Sequence, residues 1–176
     1  RVLLDGRAIK TAGGRPQVVP SRRLAEALAA GWADQHDEID PKAFMLRDLA
    51  DYAIDVAAGE GRSELIEEVA AYADSDTLCY RAAPGEALHT RQAEIWEPLI
   101  TEAEHRYDVH FERVAGIIHR PQPDTTLAQL KAVVAVQDAF GLAALRMLTS
   151  LSASLVIALA ALEADADGDA MWRAAN

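Results

Sequence analysis

The residues best suited to chemistry are five histidines, His36, His89, His105, His110 and His119, and a single cysteine, Cys79. The histidines are scattered without His-x-x-x-His or Glu-x-x-His spacing, and one cysteine forms no Cys-x-x-Cys pair, so no metal site is signalled. A nucleophilic Cys79 would need a histidine brought beside it in space, and nothing in the sequence nominates one. Gly59-Glu60-Gly61-Arg62-Ser63 lacks the later glycine and the lysine of a phosphate-binding loop and reads as a linker between helices. Glu163 to Gly168 alternates acids before a glycine, as a calcium loop does. Its twelfth position is Ala174 where a bidentate acid is required, so it reads as an acidic turn. The chain is expected to use no cofactor and no metal and to be no enzyme.

What stands out instead is polar or amphipathic residues on apolar helical stripes: Trp32 with Gln35, Asp76 with Arg81, and Gln92 with Trp96. Two readings stand. These residues form a satisfied internal network among ordinary core aromatics, or part of them lines a groove for a partner, where Trp, Tyr and Arg are favoured anchors. The partner-binding candidates are Trp32, Gln35, Asp76, Tyr80, Arg81, Gln92 and Trp96. An aspartate on a core stripe is costly unless paired, and Arg81 or a polar group near Gln92 is its expected partner.

The elements that must position these groups change character along the chain. Residues 1–20 are strand-like, from Val2-Leu3-Leu4 through Asp5-Gly6 to Gln17-Val18-Val19, and Asp-Gly between such runs signals a two-residue hairpin. Strands this short are marginal alone and must pair with preceding strands or pack on helices. Ser21 then caps a helix carrying Leu24, Leu28 and Trp32 on one face. Asp40-Pro41 interrupts, and a second helix around Leu46, Leu49, Ala50, Ala53 and Ile54 runs to Gly59. A third follows Ser63 with Leu65, Val69 and Tyr72 inward, its spacing continuing to Asp76. The fourth carries Leu88, Gln92, Ile95, Trp96, Leu99, Ala103 and Tyr107 on one side, with Pro98 kinking it or marking a start. An irregular stretch from Val109 to Ile118 precedes two long closing helices, Leu127 to Phe140 and Leu142 to Glu163, joined at Gly141. The fold class is α+β: a small N-terminal antiparallel β-module with linking helices over 1–60, followed by a larger α-helical domain over 61–176.

Seventeen basic against twenty-eight acidic residues give a net charge of −11, which repels nucleic acid and anionic membrane surfaces. The most apolar stretch, Met147 to Leu162, is shorter than the roughly 20 residues of a spanning helix, so no membrane insertion is expected. A lone cysteine fits a reducing compartment and reads as a small buried hydrophobe. Because the chain opens at Arg1 without an initiator Met, a preceding stretch is expected.

Motifs in order along nearly the whole chain resemble the Atp-twelve-type chaperones. They include Leu4 to Thr11, Val19-Pro20-Ser21, Trp32 to Gln35, Ile39-Asp40-Pro41, Ala53-Ile54-Asp55, Gly116-Ile117 with Gln122-Pro123, and Leu151 to Leu159. The most specific part is Asp76-Thr77-Leu78-Cys79-Tyr80-Arg81 followed by Arg91-Gln92 and Trp96-Glu97-Pro98. Leu46-Arg47 and Ser152-Ala153-Ser154 depart from the family pattern. Family members continue past the region of Trp172 into a Glu-rich stretch, so the acidic residue the resemblance associates with chaperone action has no position here.

The resemblance implies a β-rich N-terminal module, an α-helical C-terminal domain, and ATP-independent binding of the F(1) alpha subunit during assembly of the ATP synthase catalytic head. It also implies a mitochondrial or bacterial origin; the Ala-, Arg- and Asp-rich composition and the lack of a visible basic presequence point to the bacterial cytoplasm, or to the mitochondrial matrix if eukaryotic, and a monomer is expected. A general peptide-binding adaptor, or a small helical hydrolase using Cys79 or an acid pair, stands as the alternative.

Overall fold

The computed structural model describes residues 3–35 and 38–176, so Val2 and His36 lie outside the described residues. The chain divides into two compact units, Arg1–Arg62 with Asp138–Ala143, and Ser63–Gln137 with Ala144–Asn176.

The first unit opens on an antiparallel hairpin of β1 (Leu3–Leu4) and β2 (Arg7–Ala8), with Leu3 opposite Ala8 and Leu4 opposite Arg7. Asp5 at φ 49° and Gly6 at φ 76° supply the paired left-handed positions that a tight hairpin turn requires, as the sequence predicts. A second turn follows, closed by Thr11 N–H to Arg15 O at 2.8 Å and Gln17 N–H to Ile9 O at 3.1 Å. Helix α1 (Arg22–Ala33) starts where the Ser21 hydroxyl accepts from Leu24 N–H. Asp40 accepts from Lys42 N–H to begin a 3-10 turn at Pro41–Ala43, after which α2 (Met45–Tyr52) runs into a wider π turn, Ala53–Ala57. Leu28 and Ala50 form the core here, with Ile9, Val19, Leu24, Ala25, Trp32 and Phe140 packed round them.

Short strands hold in this unit because α2 and its π extension present two carboxylates to the second turn. Asp51 accepts from Ala12 N–H at 3.0 Å and from the buried Gln17 amide at 2.6 Å. Asp55 accepts from Thr11 Oγ1 and Gly13 N–H, both at 2.8 Å. Gly13 sits so close that a Cβ there would lie 2.8 Å from the Asp55 carboxyl carbon. Gly13→Ala is therefore expected to push that carboxylate off its donors and cost about 1–3 kcal/mol, read as a lowered melting temperature. An unchanged melt would show that Asp55 moves freely.

The second unit is mostly helical. Helix α3 (Arg62–Ala70) leads through 3-10 turns at Ala71–Ala73 and Thr77–Cys79 into β3 (Tyr80–Arg81). Helix α4 (Ala87–Tyr107) follows, then β4 (Val114–Ala115), which pairs in parallel with β3, Tyr80 opposite Val114. Pro98 lies inside α4, not at its start. The buried α4 residues are Ile100 and Ala103, whereas Leu88 and Ile95, expected on the core stripe, are exposed.

The span expected to hold two long closing helices holds three, α5 (Asp124–Ala135), α6 (Ala139–Ser152) and α7 (Leu155–Ala161), and a further helix, α8 (Gly168–Ala175), follows it. The first break falls before α6, where Asp138 accepts from Gly141 N–H at 2.7 Å, so Gly141 lies inside a helix and joins nothing. The second falls at Ala153, which adopts φ 51°, while the Ser154 hydroxyl accepts from Ile157 N–H to start α7. Residues Leu155 to Leu159 are all buried. Asp167, in the acidic turn after α7, caps α8 through Ala170 N–H at 3.0 Å.

Candidate partner-binding site

In the second unit the candidates gather where β3 meets α4. Asp76 is wholly buried, as its place on the inward stripe implies, but Arg81 is not its partner. Its carboxylate accepts from Leu78 N–H and Val156 N–H, each at 3.0 Å, so it caps the Thr77–Cys79 turn and pins the start of α7. The neighbouring Thr77 bonds Ala153 O through both its amide, at 3.1 Å, and its hydroxyl, at 2.9 Å. Burial pushes the Asp76 carboxyl up to about 6, against the lowering pull of the Val156 N–H and the Ser154 hydroxyl. Hydrogen-bonded on both oxygens inside the protein, Asp76 is a structural clamp with no opening through which to serve as a base.

Cys79 is also fully buried. Burial, and next the Asp76 charge, push its thiol up to about 12. A buried thiol that stays protonated at neutral pH is a poor nucleophile.

Arg81 turns the other way. Its Nε donates to Leu78 O at 2.7 Å, its Nη2 to Glu97 at 3.0 Å, and its guanidinium lies 5.7 Å from the Trp96 ring centre. Glu97 also receives Arg113 at 2.7 Å, and Arg113 reaches on to Glu104. The Arg113 hydrogen bond holds Glu97 below the usual carboxylate range. Burial would raise Glu104, but Arg113 and the Phe111 N–H outweigh it and keep that acid low as well. Gln92 accepts from Ala82 N–H at 2.7 Å, and Trp96 Nε1 donates to Ala174 O at 2.8 Å. The Tyr80 hydroxyl meets His119 Nδ1 at 3.0 Å, and His119 Nε2 stands 3.3 Å from Asp74.

Tyr80, Arg81, Gln92 and Trp96 are thus brought together around β3 and α4, with Asp76 beneath them. Trp32 and Gln35 belong to the first unit. There Trp32 packs on Phe44 at 4.6 Å between ring centres, and Arg47 lies over both rings. Gln35 braces the exit of α1, donating to Gly31 O and accepting from Asp40 N–H. Trp32 Nε1 is buried with no hydrogen-bond partner among the described residues.

Sequence reasoning missed Glu97, Glu104 and Arg113, the ionic strap between α4 and β4. The signal available was Glu97 and Glu104, seven apart on one helix face, facing the basic Arg81 and Arg113. Among the described residues no group of three or more His, Cys, Asp or Glu could hold a metal ion, and no helix is long and apolar enough to cross a membrane.

Comparison with known proteins adds to this geometry. The family profile "ATP12 chaperone protein" matches residues 1–104. The crystal structure of Atp12 from Paracoccus denitrificans superposes with a TM-score of 0.90 at 35% identity, covering 98% of this chain and 74% of that one. A single-residue variant of the same protein gives the same figures. The Atu1473 protein from Agrobacterium tumefaciens gives a TM-score of 0.89 at 33% identity, covering 98% of this chain and 65% of that one. With more than half the chain matched by the profile and nearly all of it by these structures, the chain belongs to the ATP12 chaperone family, the chaperones of F(1)-ATPase assembly.

Proposed function

We propose that this protein binds the alpha subunit of F(1)-ATPase without using ATP, covers the surface that later meets the beta subunit, and is displaced when beta arrives. Membership of the ATP12 family carries the reading. The chemistry of the buried groups supports it from the other side, since Asp76 and Cys79 are held in states suited to structure and not to catalysis.

An unassembled ring subunit exposes an interface more apolar than ordinary surface, which associates wrongly unless covered. A useful cover competes with the next subunit, and displacement by mass action needs no nucleotide. Within this reading Trp32, Gln35, Tyr80, Arg81, Gln92 and Trp96 remain the partner-facing candidates. Trp32, Tyr80 and Trp96, each half-buried, are the ones with ring surface to offer. Asp76 has no exposed surface and acts by positioning β3. The work belongs in the compartment where F(1) is built, the bacterial cytoplasm or, in a eukaryote, the mitochondrial matrix.

Light scattering tests the reading. Isolated alpha subunit should aggregate alone, stay clear with an equimolar amount of this protein, and leave it for beta when beta is added. Unchanged aggregation in the second mixture removes the chaperone role, and a lasting ternary complex in the third removes displacement.

A further inference from the structure

Between β4 and α5 the chain displays two adjacent isoleucines, Ile117 and Ile118, with 95% and 80% of their surface exposed. Single exposed apolar residues are ordinary; a neighbouring pair at the tip of a fixed loop is not. This loop is fixed on both sides. Before the tip, Gly116 N–H donates to Arg81 O at 2.8 Å as the β3–β4 pairing ends. After it, His119 is held by Tyr80 and Asp74, and Gln122 N–H donates to Asp74 at 2.9 Å. The Gln122 side chain then closes a two-way link with the Glu112 backbone, at 2.8 and 3.1 Å. A loop so anchored does not fold its isoleucines back onto the protein.

Next to the pair stands Arg120, exposed and without an ion pair among the described residues. In a chain of net charge −11, the tip is therefore apolar with one unmatched cation at its side. Its complement is a preformed apolar cleft with a carboxylate at the lip. Resting on the chaperone reading above, we propose that the Ile117-Ile118 tip is a rigid plug that seats in such a cleft on the client subunit, with Arg120 meeting the acid. The ordering that a flexible loop would undergo on binding is already complete in the free protein.

Three variants of the full chain, titrated against isolated alpha subunit by calorimetry, test this. Ile117→Ser with Ile118→Ser should weaken binding by about tenfold or more while the melting temperature holds, because neither side chain is part of the core. Arg120→Glu should weaken it by about three- to tenfold, the difference shrinking as salt is raised. Val136→Ser removes an apolar residue that is 81% exposed elsewhere and should leave binding unchanged. Wild-type affinity in the double variant overturns the plug and leaves the chaperone reading standing. Equal losses in the double variant and Val136→Ser would point to general stickiness and overturn it too. Wild-type protein that does not bind alpha overturns both proposals. A wild-type dimer that the double variant dissolves would give the tip to a second copy of this chain and overturn the client assignment.

Discussion

Asp76→Ala is expected to destabilise the protein by about 3–5 kcal/mol, because it leaves two buried N–H donors, those of Leu78 and Val156, without the charged acceptor they share. For a chain of this size that corresponds to a melting temperature lower by about 6–20 °C. The pH dependence separates this clamp from a simple loss of packing. The folded carboxyl is raised from 3.8 to about 6, so between those values the fold holds a proton that the unfolded chain has released. The part of its stabilisation that this proton supplies is fully present below the lower value and is lost as pH rises through the upper one, while the hydrogen bonds to Leu78 and Val156 remain. The gap between wild type and Asp76→Ala should then narrow as pH rises from about 4.5 to about 7, by about 2 kcal/mol. A constant gap across that range would mean that Asp76 titrates normally in the fold.

Asp51→Ala should have the second-largest effect, about 2–4 kcal/mol, through a different kind of orphan. Gln17 is fully buried, and its Oε1 already has no partner among the described residues. Removing Asp51 takes the partner of its Nε2 as well, together with the acceptor of Ala12 N–H. Adding Gln17→Leu to Asp51→Ala should recover part of the loss, since a buried apolar side chain needs no partner. Hydrogen exchange at the Ala12 amide should accelerate in the single variant. A double variant no more stable than the single one would show that the loss lies in the turn backbone and not in the glutamine.

The features legible in the sequence are those set by neighbouring residues. Asp5-Gly6 dictates its turn, Ser21 and Asp40-Pro41 mark their boundaries, and the Leu24, Leu28, Trp32 spacing finds the α1 core face. The most specific family motif is also explained: Asp76, Arg81 and Gln92 tie the β3 segment to α7 and α4, and Trp96 ties α4 to α8. What was misread depends on distant parts of the chain. Ser152-Ala153-Ser154 breaks a long apolar run because Thr77 donates to the Ala153 carbonyl and Asp76 accepts from Val156 N–H, which satisfies the backbone groups that the break exposes. The Leu78 amide is a local partner of Asp76, but nothing within ten residues shows that its second oxygen is taken by the Val156 amide and not by Arg81. Likewise Asp51 and Asp55 look like ordinary surface acids until the Thr11–Arg15 turn lies against them.

The Asp76 clamp also bears on the order of events during folding. Asp76 bonds a residue 80 positions later and Thr77 one 76 positions later, so both closures enclose nearly half the chain. Loops of that length form late, and contacts far apart in sequence slow folding. On the ribosome the Asp76 carboxylate remains in water until the chain has been made through Val156 and has cleared the exit tunnel. Until then the β3 segment has its helix α4 but not its clamp. The second unit therefore completes its core only after synthesis of this region, and Asp76→Ala should slow the final refolding phase as well as speed unfolding if the closure belongs to the transition state.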